Sequence, residues 1–357
     1  MKTDWNPKPG DRIIRHPREE AMSPVRLTVT TRRGQSRSLN SPLILAYAFA
    51  GLIVVGTLLL LLPFSNNGEG VTPLIDALFT ATSAITATGL ITQDTATYWT
   101  RTGQVFLLAM LFVGGLGFMT IATFLLILMG QRVNLTQRIL VKDSLQVDHL
   151  GGLVRLTVNI VSVAASIQFI GFLALFSHFS LQVGYPLAEA IWQATFQAVS
   201  AFNNVGLVSL PETKSLSSFD LDKLVLGITG ILILLGAISY TAMADVVKFR
   251  KFSLFTLNTK LVLIITLILT IIGALVFFSS EYDSTLGPKT VTDKAFISVF
   301  ESISGRTAGF TTVDYGETEH HTNFFFTSLM FIGGASASVA GGIKINTLAI
   351  ILVAVLS

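Results

Sequence analysis

An all-α integral membrane protein, built from three successive units of long helix, short re-entrant helix, loop and long helix, is the fold this sequence predicts. Three observations lead there. The 357 residues are 51% hydrophobic and only 13% charged, with a mean hydropathy of +0.67, outside the usual balance of soluble domains. Several apolar runs, residues 41–64 and 261–280 among them, reach the roughly 20 residues that a helix needs to cross a bilayer. One pattern then recurs three times: a long apolar span, a shorter apolar segment opened by an acid, a glycine-bearing break, and another long span.

The first 40 residues are polar and carry nine Lys/Arg against four Asp/Glu. With the basic loops around Arg132, Arg138 and Lys142, and around Lys248, Arg250, Lys251 and Lys260, they place the N-terminus in the cytoplasm by the positive-inside rule. The arm is read as topology and solvation rather than as a nucleic-acid surface. The first unit covers 41–130, with spans near 41–64 and 101–129 around a short segment at 73–84. A cytoplasmic loop at 131–151 follows. The second unit covers 152–246, with spans near 152–179 and 221–245 around 187–201. After a loop at 247–258, the third covers 259–357, with spans near 259–280 and 323–357 around 291–304. The sequon at Asn134 falls on the expected cytoplasmic side, where it would go unused.

Segments of 12 to 15 residues are too short to span and long enough to enter the membrane and turn back. Such a helix leaves carbonyls unpaired at its inner end, which hydrocarbon tolerates only where the backbone lines a cavity or is buried in protein. Asp76, Glu189 and Asp293 near the helix starts complement the positive dipole ends and leave the negative ends at the breaks. The breaks stack as "SAITATGL", "SAFNNVGL" and "SGRTAGF", with glycines Gly89, Gly206 and Gly309; the third is one residue shorter between serine and glycine. Glycine permits positive φ and lets carbonyls face an axis unobstructed. Rings of such carbonyls replace the hydration shell of an ion, and large alkali cations suit a weak-field oxygen ring better than small divalent ions do. Thr86, Thr88, Asn203, Asn204 and Thr307 are expected to hold the loops by side-chain hydrogen bonds.

On these residues the chain resembles the Trk/Ktr/HKT superfamily of potassium and sodium transporters. "TATSAITATGL", "QAVSAFNNVGL" and "ESISGRTAGFTTVD" are similar to its filter segments, and "GGASASVAGGIKINT" at 333–347 to the broken helix after the third filter. The match runs over about 41–357 and looks most like the bacterial Ktr-type membrane subunit. The resemblance implies a pseudo-fourfold pore with a filter at Thr86, Ala87, Thr88, Gly89; Asn203, Asn204, Val205, Gly206; and Arg306, Thr307, Ala308, Gly309. It implies K⁺ held by the carbonyls of Thr88, Val205 and Ala308, uptake of K⁺ that is often Na⁺-dependent, and no organic cofactor in this chain. Glycine at Gly89 goes with K⁺ preference in the family. Implied partners are a cytoplasmic nucleotide-binding ring of RCK type, taking ATP/ADP or NAD, a second copy of the pore subunit, and membrane lipid. The setting implied is the cell membrane, spanned many times. A fourth unit is expected beyond Ser357, the sequence being read as a C-terminally truncated piece.

The last span, 35 residues long, exceeds one crossing, and its small residues predict two half-helices with an irregular join. Family likeness makes that join, Gly333, Gly334, Ala335, Ser336, Ala337, Ser338, Gly341, Gly342 and Lys344, an intramembrane gate. "GGLGF" at 114–118 is read as close helix packing. Arg306 is expected behind the filter, paired with an acid or with carbonyls. Lys344 either puts charge near the inner pore or snorkels to the interface, and His320 and His321 are read as a solvated loop. The absence of cysteine excludes disulfides, thiolate metal sites and cysteine nucleophiles, and no HExxH or GxSxG motif suggests an enzyme. A rocking secondary alkali-cation transporter or symporter and a non-conducting truncated subunit stand as the alternatives.

Overall fold

The computed structural model describes residues 41–68, 70–117, 120, 153–210, 215–336 and 338–356. The basic arm at 1–40, Glu69, Phe118, the loop at 131–151 with Asn134, and Ala337 lie outside the described residues. Within them the protein is all-helical, with only two isolated bridges, Asn66 to Trp99 and Ile332 to Ile343.

Eleven α-helices are described. The first three are α1 Ser41–Leu60, α2 Leu74–Ile85 and α3 Arg101–Leu116. Next come α4 Leu153–His178, which widens into a π-helical turn at Phe179–Val183, and α5 Leu187–Phe202. They are followed by α6 Lys223–Ala237, α7 Tyr240–Phe249 and α8 Leu257–Ser280. The last are α9 Val291–Thr307, α10 His320–Met330 and α11 Ile345–Leu356. The helix starts follow capping chemistry. Asp222 accepts from the Leu224 and Val225 amides at 3.1 Å each, and Thr100 accepts from Gly103 at 3.2 Å. Thr290 accepts from the Asp293 amide at 3.3 Å, while prolines Pro73 and Pro186 precede α2 and α5. Each such bond satisfies one of the orphan amides of a first turn.

By length and composition the helical stretches Arg155–Val183 and Leu257–Ser280 can each cross a membrane. Exposed Leu267, Ile268, Ile271, Ile272 and Leu275 along α8 form the apolar surface that lipid requires. The short helices are wrapped instead: α2 packs on α1 and α3, α5 on α4 and α6, and α9 on α8 and α6.

One expected span is broken. Residues 221–245 read as one helix, but α6 and α7 meet at a 102° bend. Ile238 is extended and Ser239 caps the next helix by accepting from Ala242 at 3.3 Å. Carbonyls freed by such a break need donors. The distant segment 333–344 supplies them: Ala335 N donates to Ala237 O at 2.9 Å and Val339 N to Gly236 O at 3.3 Å. Of the expected span at 101–129, α3 covers Arg101–Leu116 and ends with Gly117 at φ +80°, while 118–119 and 121–129 lie outside the described residues. His320 and His321 open α10 rather than lying in a loop.

Candidate functional site

Each short helix ends in the same hydrogen-bonded turn. After α2, Thr88 N donates to Ser83 O at 2.9 Å, and after α5, Val205 N donates to Ser200 O at 3.1 Å. Ala87 and Asn204, both at φ +53°, make those turns left-handed, and Gly89 and Gly206 follow at φ +79°. After α9, Ala308 N and Gly309 N both donate to Ser304 O, at 2.9 and 3.1 Å. The residue missing from the third loop is thus the left-handed one: Ala308 stays right-handed, and Gly309 still reaches φ +80°.

The three loops lie side by side in chain order. A methyl group built on Gly89 would stand 1.6 Å from the Val205 carbonyl oxygen, and one on Gly206 would stand 2.3 Å from that of Ala308. One on Gly309 would meet no heavy atom within 4 Å. The carbonyls of Thr88, Val205 and Ala308 accept no hydrogen bond among the described residues. Behind the loops, glycines let a long helix press on the end of each of the first two short ones. Gly114 abuts Ile85 O, and Gly236 abuts Phe202 O, where added methyls would sit at 2.1 and 1.9 Å. Gly115 makes room for the Asn203 side chain. The close packing expected of "GGLGF" is therefore present at Gly114 and Gly115, and the motif also ends its helix.

Side chains brace the loops unequally. Ser200 Oγ donates to Leu207 O at 2.7 Å and Ser304 Oγ to Phe310 O at 2.6 Å. Ser83 Oγ has no partner among the described residues. The Thr86 and Thr88 hydroxyls bond to each other at 2.6 Å. Thr307 Oγ1 donates to Asn204 Oδ1 at 2.9 Å, and Asn204 Nδ2 reaches Ile233 O at 3.2 Å, joining the third loop to the second and both to α6. Two expectations are corrected. Asn203 is buried with neither amide atom bonded among the described residues, because Gly115 and not a polar group faces it. Arg306 is buried, but it pairs with no acid, and its Nε and Nη1 have no partner among the described residues. The nearby carboxylate of Glu301 is taken by Thr312 and Tyr315.

A cavity of about 310 Å³ lies between the ends of α3, α5 and α6 and residues 338–344 of the segment 333–344, lined by Gly114, Gly117, Phe202, Gly236, Ser338 and Lys344. The segment is irregular yet bonded. Gly333 N donates to Ile343 O at 2.9 Å, Ile345 N to Gly334 O at 3.0 Å, and Ser338 Oγ to Ala335 O at 2.6 Å. A methyl on Gly333 would fall 1.6 Å from Gly341 O, and Gly342 sits at φ +78°. Lys344 lines the cavity and folds back to donate to Ala340 O at 2.5 Å.

At the opposite ends of the short helices, first-turn acids clasp the preceding unit. Glu189 meets Arg101 at 2.5 Å and Asp293 meets Lys223 at 2.8 Å, while Asp76 accepts from Gln93 at 3.2 Å instead. Sequence reasoning missed these clasps, whose signal is a basic residue opening α3 and α6. Among the described residues no group of three or more His, Asp or Glu side chains is arranged to hold a metal ion.

Apolar helices long enough to span a membrane, in an all-helical fold whose irregular backbone lines a cavity, are those of a helical membrane protein. Residues 21–357 match the family model described as TrkH, cation transport protein, and the chain belongs to that family. It is 39% identical over 320 residues to Ktr system potassium uptake protein B of Bacillus subtilis, covering 88% of this chain and 70% of that one. It is 35% identical over 329 residues to the potassium/sodium uptake protein NtpJ of Enterococcus hirae, covering 92% and 72%. Its fold is similar to the crystal structure of the potassium transporter TrkH from Vibrio parahaemolyticus, with a TM-score of 0.67 at 17% identity over 90% of this chain. The chain spans 62% of that structure's length.

Proposed function

We propose that this chain is the K⁺-translocating membrane subunit of a potassium uptake system. α2, α5 and α9 act as re-entrant helices of three repeated units, and the loops 86–89, 203–206 and 306–309 form three sides of a selectivity filter. A dehydrated K⁺ is coordinated by the backbone carbonyls of Thr88, Val205 and Ala308, which offer weak-field oxygen in place of water. The observation that carries this reading is the abutment of Val205 O on Gly89 and of Ala308 O on Gly206, with all three glycines at φ between +79° and +80°. Each abutment brings a carbonyl without a hydrogen-bond partner among the described residues against the glycine of the preceding loop, which supports a shared axis. A methyl on Gly309 meets no heavy atom within 4 Å, so that flank of the third loop is open among the described residues.

Segment 333–344, whose Ser338 to Gly341 and Lys344 line the cavity, acts as the gate, opening without rearranging the filter. The names of the relatives support K⁺ as the ion carried, and that of NtpJ supports a role for Na⁺. A cytoplasmic nucleotide-binding ring as regulator, a homodimer of pore subunits, and a multi-pass chain in the cell membrane with its N-terminus in the cytoplasm complete the proposal. Its test is Rb⁺ uptake by cells lacking their own K⁺ uptake systems, using the full-length gene and a Gly206→Asp variant. Uptake by the wild type and none by the variant is expected; a variant that transports as well as the wild type refutes the filter.

A further inference from the structure

Every short helix is tied by a polar side chain to the chain leaving its loop, and the three ties differ. In the first, Gln93 Nε2 donates to Asp76 Oδ2 at 3.2 Å. In the second, Gln193 Nε2 donates to Ser209 O at 2.8 Å, and Ser209 Oγ returns a bond to Gln193 Oε1 at 2.6 Å. Asp76 and Gln193 both stand seven residues before the serine of their loop, Ser83 and Ser200. In the third the tie moves one helical turn nearer the glycine, to Glu301, three residues before Ser304. Its Oε1 accepts from Thr312 N at 2.6 Å and from Thr312 Oγ1 at 2.7 Å, and Tyr315 Oη donates to Oε2 at 2.9 Å. Glu301 is 0% exposed. The matching positions in the other units do no such thing: Thr80 Oγ1 is buried without a partner among the described residues, and Gln197 turns aside to Thr229 Oγ1 at 3.3 Å.

We propose that Glu301 is a positioning residue for ion discrimination: it clamps the chain just beyond Gly309, so that the Ala308 carbonyl cannot move inward onto an ion smaller than K⁺. The inference rests on the filter reading. Its physical ground is the cost of such a group. Burying a carboxylate is expensive, and an apolar side chain of similar volume would hold two helices together equally well. Three converging donors make the site rigid instead, since bonds to a carboxylate are shorter and stronger than neutral ones. The rigidity falls where it bears on an ion. Thr312 lies three residues past Gly309, as Ser209 does past Gly206, but Glu301 stands only seven residues before Ala308, where Gln193 stands twelve before Val205 and Asp76 twelve before Thr88, the third loop having also lost the left-handed residue between serine and glycine. Counted from the helix side, the third loop is therefore the one whose tie stands nearest its carbonyl.

The experiment measures Rb⁺ and Na⁺ uptake through the full-length protein in cells lacking their own K⁺ uptake systems, corrected for the amount in the membrane. The variants are Glu301→Gln, Glu301→Ala, and Thr312→Val combined with Tyr315→Phe. A glutamine keeps the geometry, its Oε1 accepting from Thr312 and its Nε2 donating to Tyr315 Oη. Glu301→Gln is thus expected to keep the Rb⁺ to Na⁺ ratio within about twofold, whereas Glu301→Ala and the double variant lower it by roughly tenfold, the loss equivalent to one charge-assisted hydrogen bond. The ratio does not depend on how much protein folds, which separates this role from simple stabilisation. Wild-type Rb⁺ uptake with an unchanged ratio in Glu301→Ala or in the double variant overturns the inference and leaves the filter reading intact. Glu301→Gln as unselective as Glu301→Ala overturns it too, since charge and not position would then matter. A wild type that carries no Rb⁺ removes the transport reading, and this inference with it.

Discussion

Replacing Gly89 by alanine adds a single methyl group, and the structure says what that methyl meets. It would lie 1.6 Å from Val205 O, where 3.4 Å is an ordinary contact, so the carbonyl must retreat by about 1.8 Å or the loop must open. The residue also sits at φ +79°, where a side chain costs about 1–2 kcal/mol. Neither cost can be met by a rotamer change, because the obstructing atom is backbone held by the Val205 N to Ser200 O bond on its other side. Gly206→Ala brings the same conflict at 2.3 Å from Ala308 O. Gly51→Ala is the control: nothing lies within 4 Å of the added carbon, and Gly51 lies inside α1, where alanine is favoured by up to about 1 kcal/mol. The assay is Rb⁺ uptake per unit of membrane protein, together with thermal stability in detergent. Gly89→Ala and Gly206→Ala are expected to abolish uptake and Gly51→Ala to leave it unchanged. Gly89→Ala transporting at the wild-type rate, with wild-type abundance, would refute the reasoning, since the Val205 carbonyl could then move by most of its contact radius without consequence.

Other perturbations follow from the same contacts. Gly333→Ala places a methyl 1.6 Å from Gly341 O and should pry the segment 333–344 apart, raising Rb⁺ uptake severalfold without altering the Rb⁺ to Na⁺ ratio; a lower rate at equal abundance would contradict the gate. Asn203→Leu removes a buried amide with no partner among the described residues, so thermal stability should hold or rise. Asn204→Leu, by contrast, breaks the bonds to Ile233 O and Thr307 Oγ1 and should cost about 1–3 kcal/mol, visible as a lower unfolding temperature in detergent. Glu281, fully buried, accepts from Glu319 N at 3.0 Å, Thr322 Oγ1 at 2.5 Å and Thr285 Oγ1 at 3.0 Å. Glu281→Ala should therefore cost about 3 kcal/mol or more, read by the same melt.

Which features could be read from the sequence depends on whether their cause was local. The short helices announced themselves by length, and "GGASASVAGG" announced a break because its four glycines and two serines weaken a helix. The count of residues between serine and glycine revealed that the third loop is shorter. It could not reveal that the omitted residue is the left-handed one, because that follows from Ala308 N and Gly309 N sharing the carbonyl of Ser304. Arg306 suggested a nearby acid, and Glu301 lies five positions away; three donors from 312–315 already occupy it, a competition between segments that spacing cannot express. The break between α6 and α7 was hidden for a stronger reason. Nothing in residues 236–241 forbids a helix, and the bend persists only because Ala335 and Val339, almost a hundred residues on, donate to the carbonyls it exposes. The two irregular segments are therefore one arrangement, each meeting the other's unpaired backbone groups. Movement of 333–344 away from Gly236 and Ala237 must strip those carbonyls of their donors, and bare backbone carbonyls out of bulk solvent require water in their place. Opening and wetting of this cavity are, on that account, a single event.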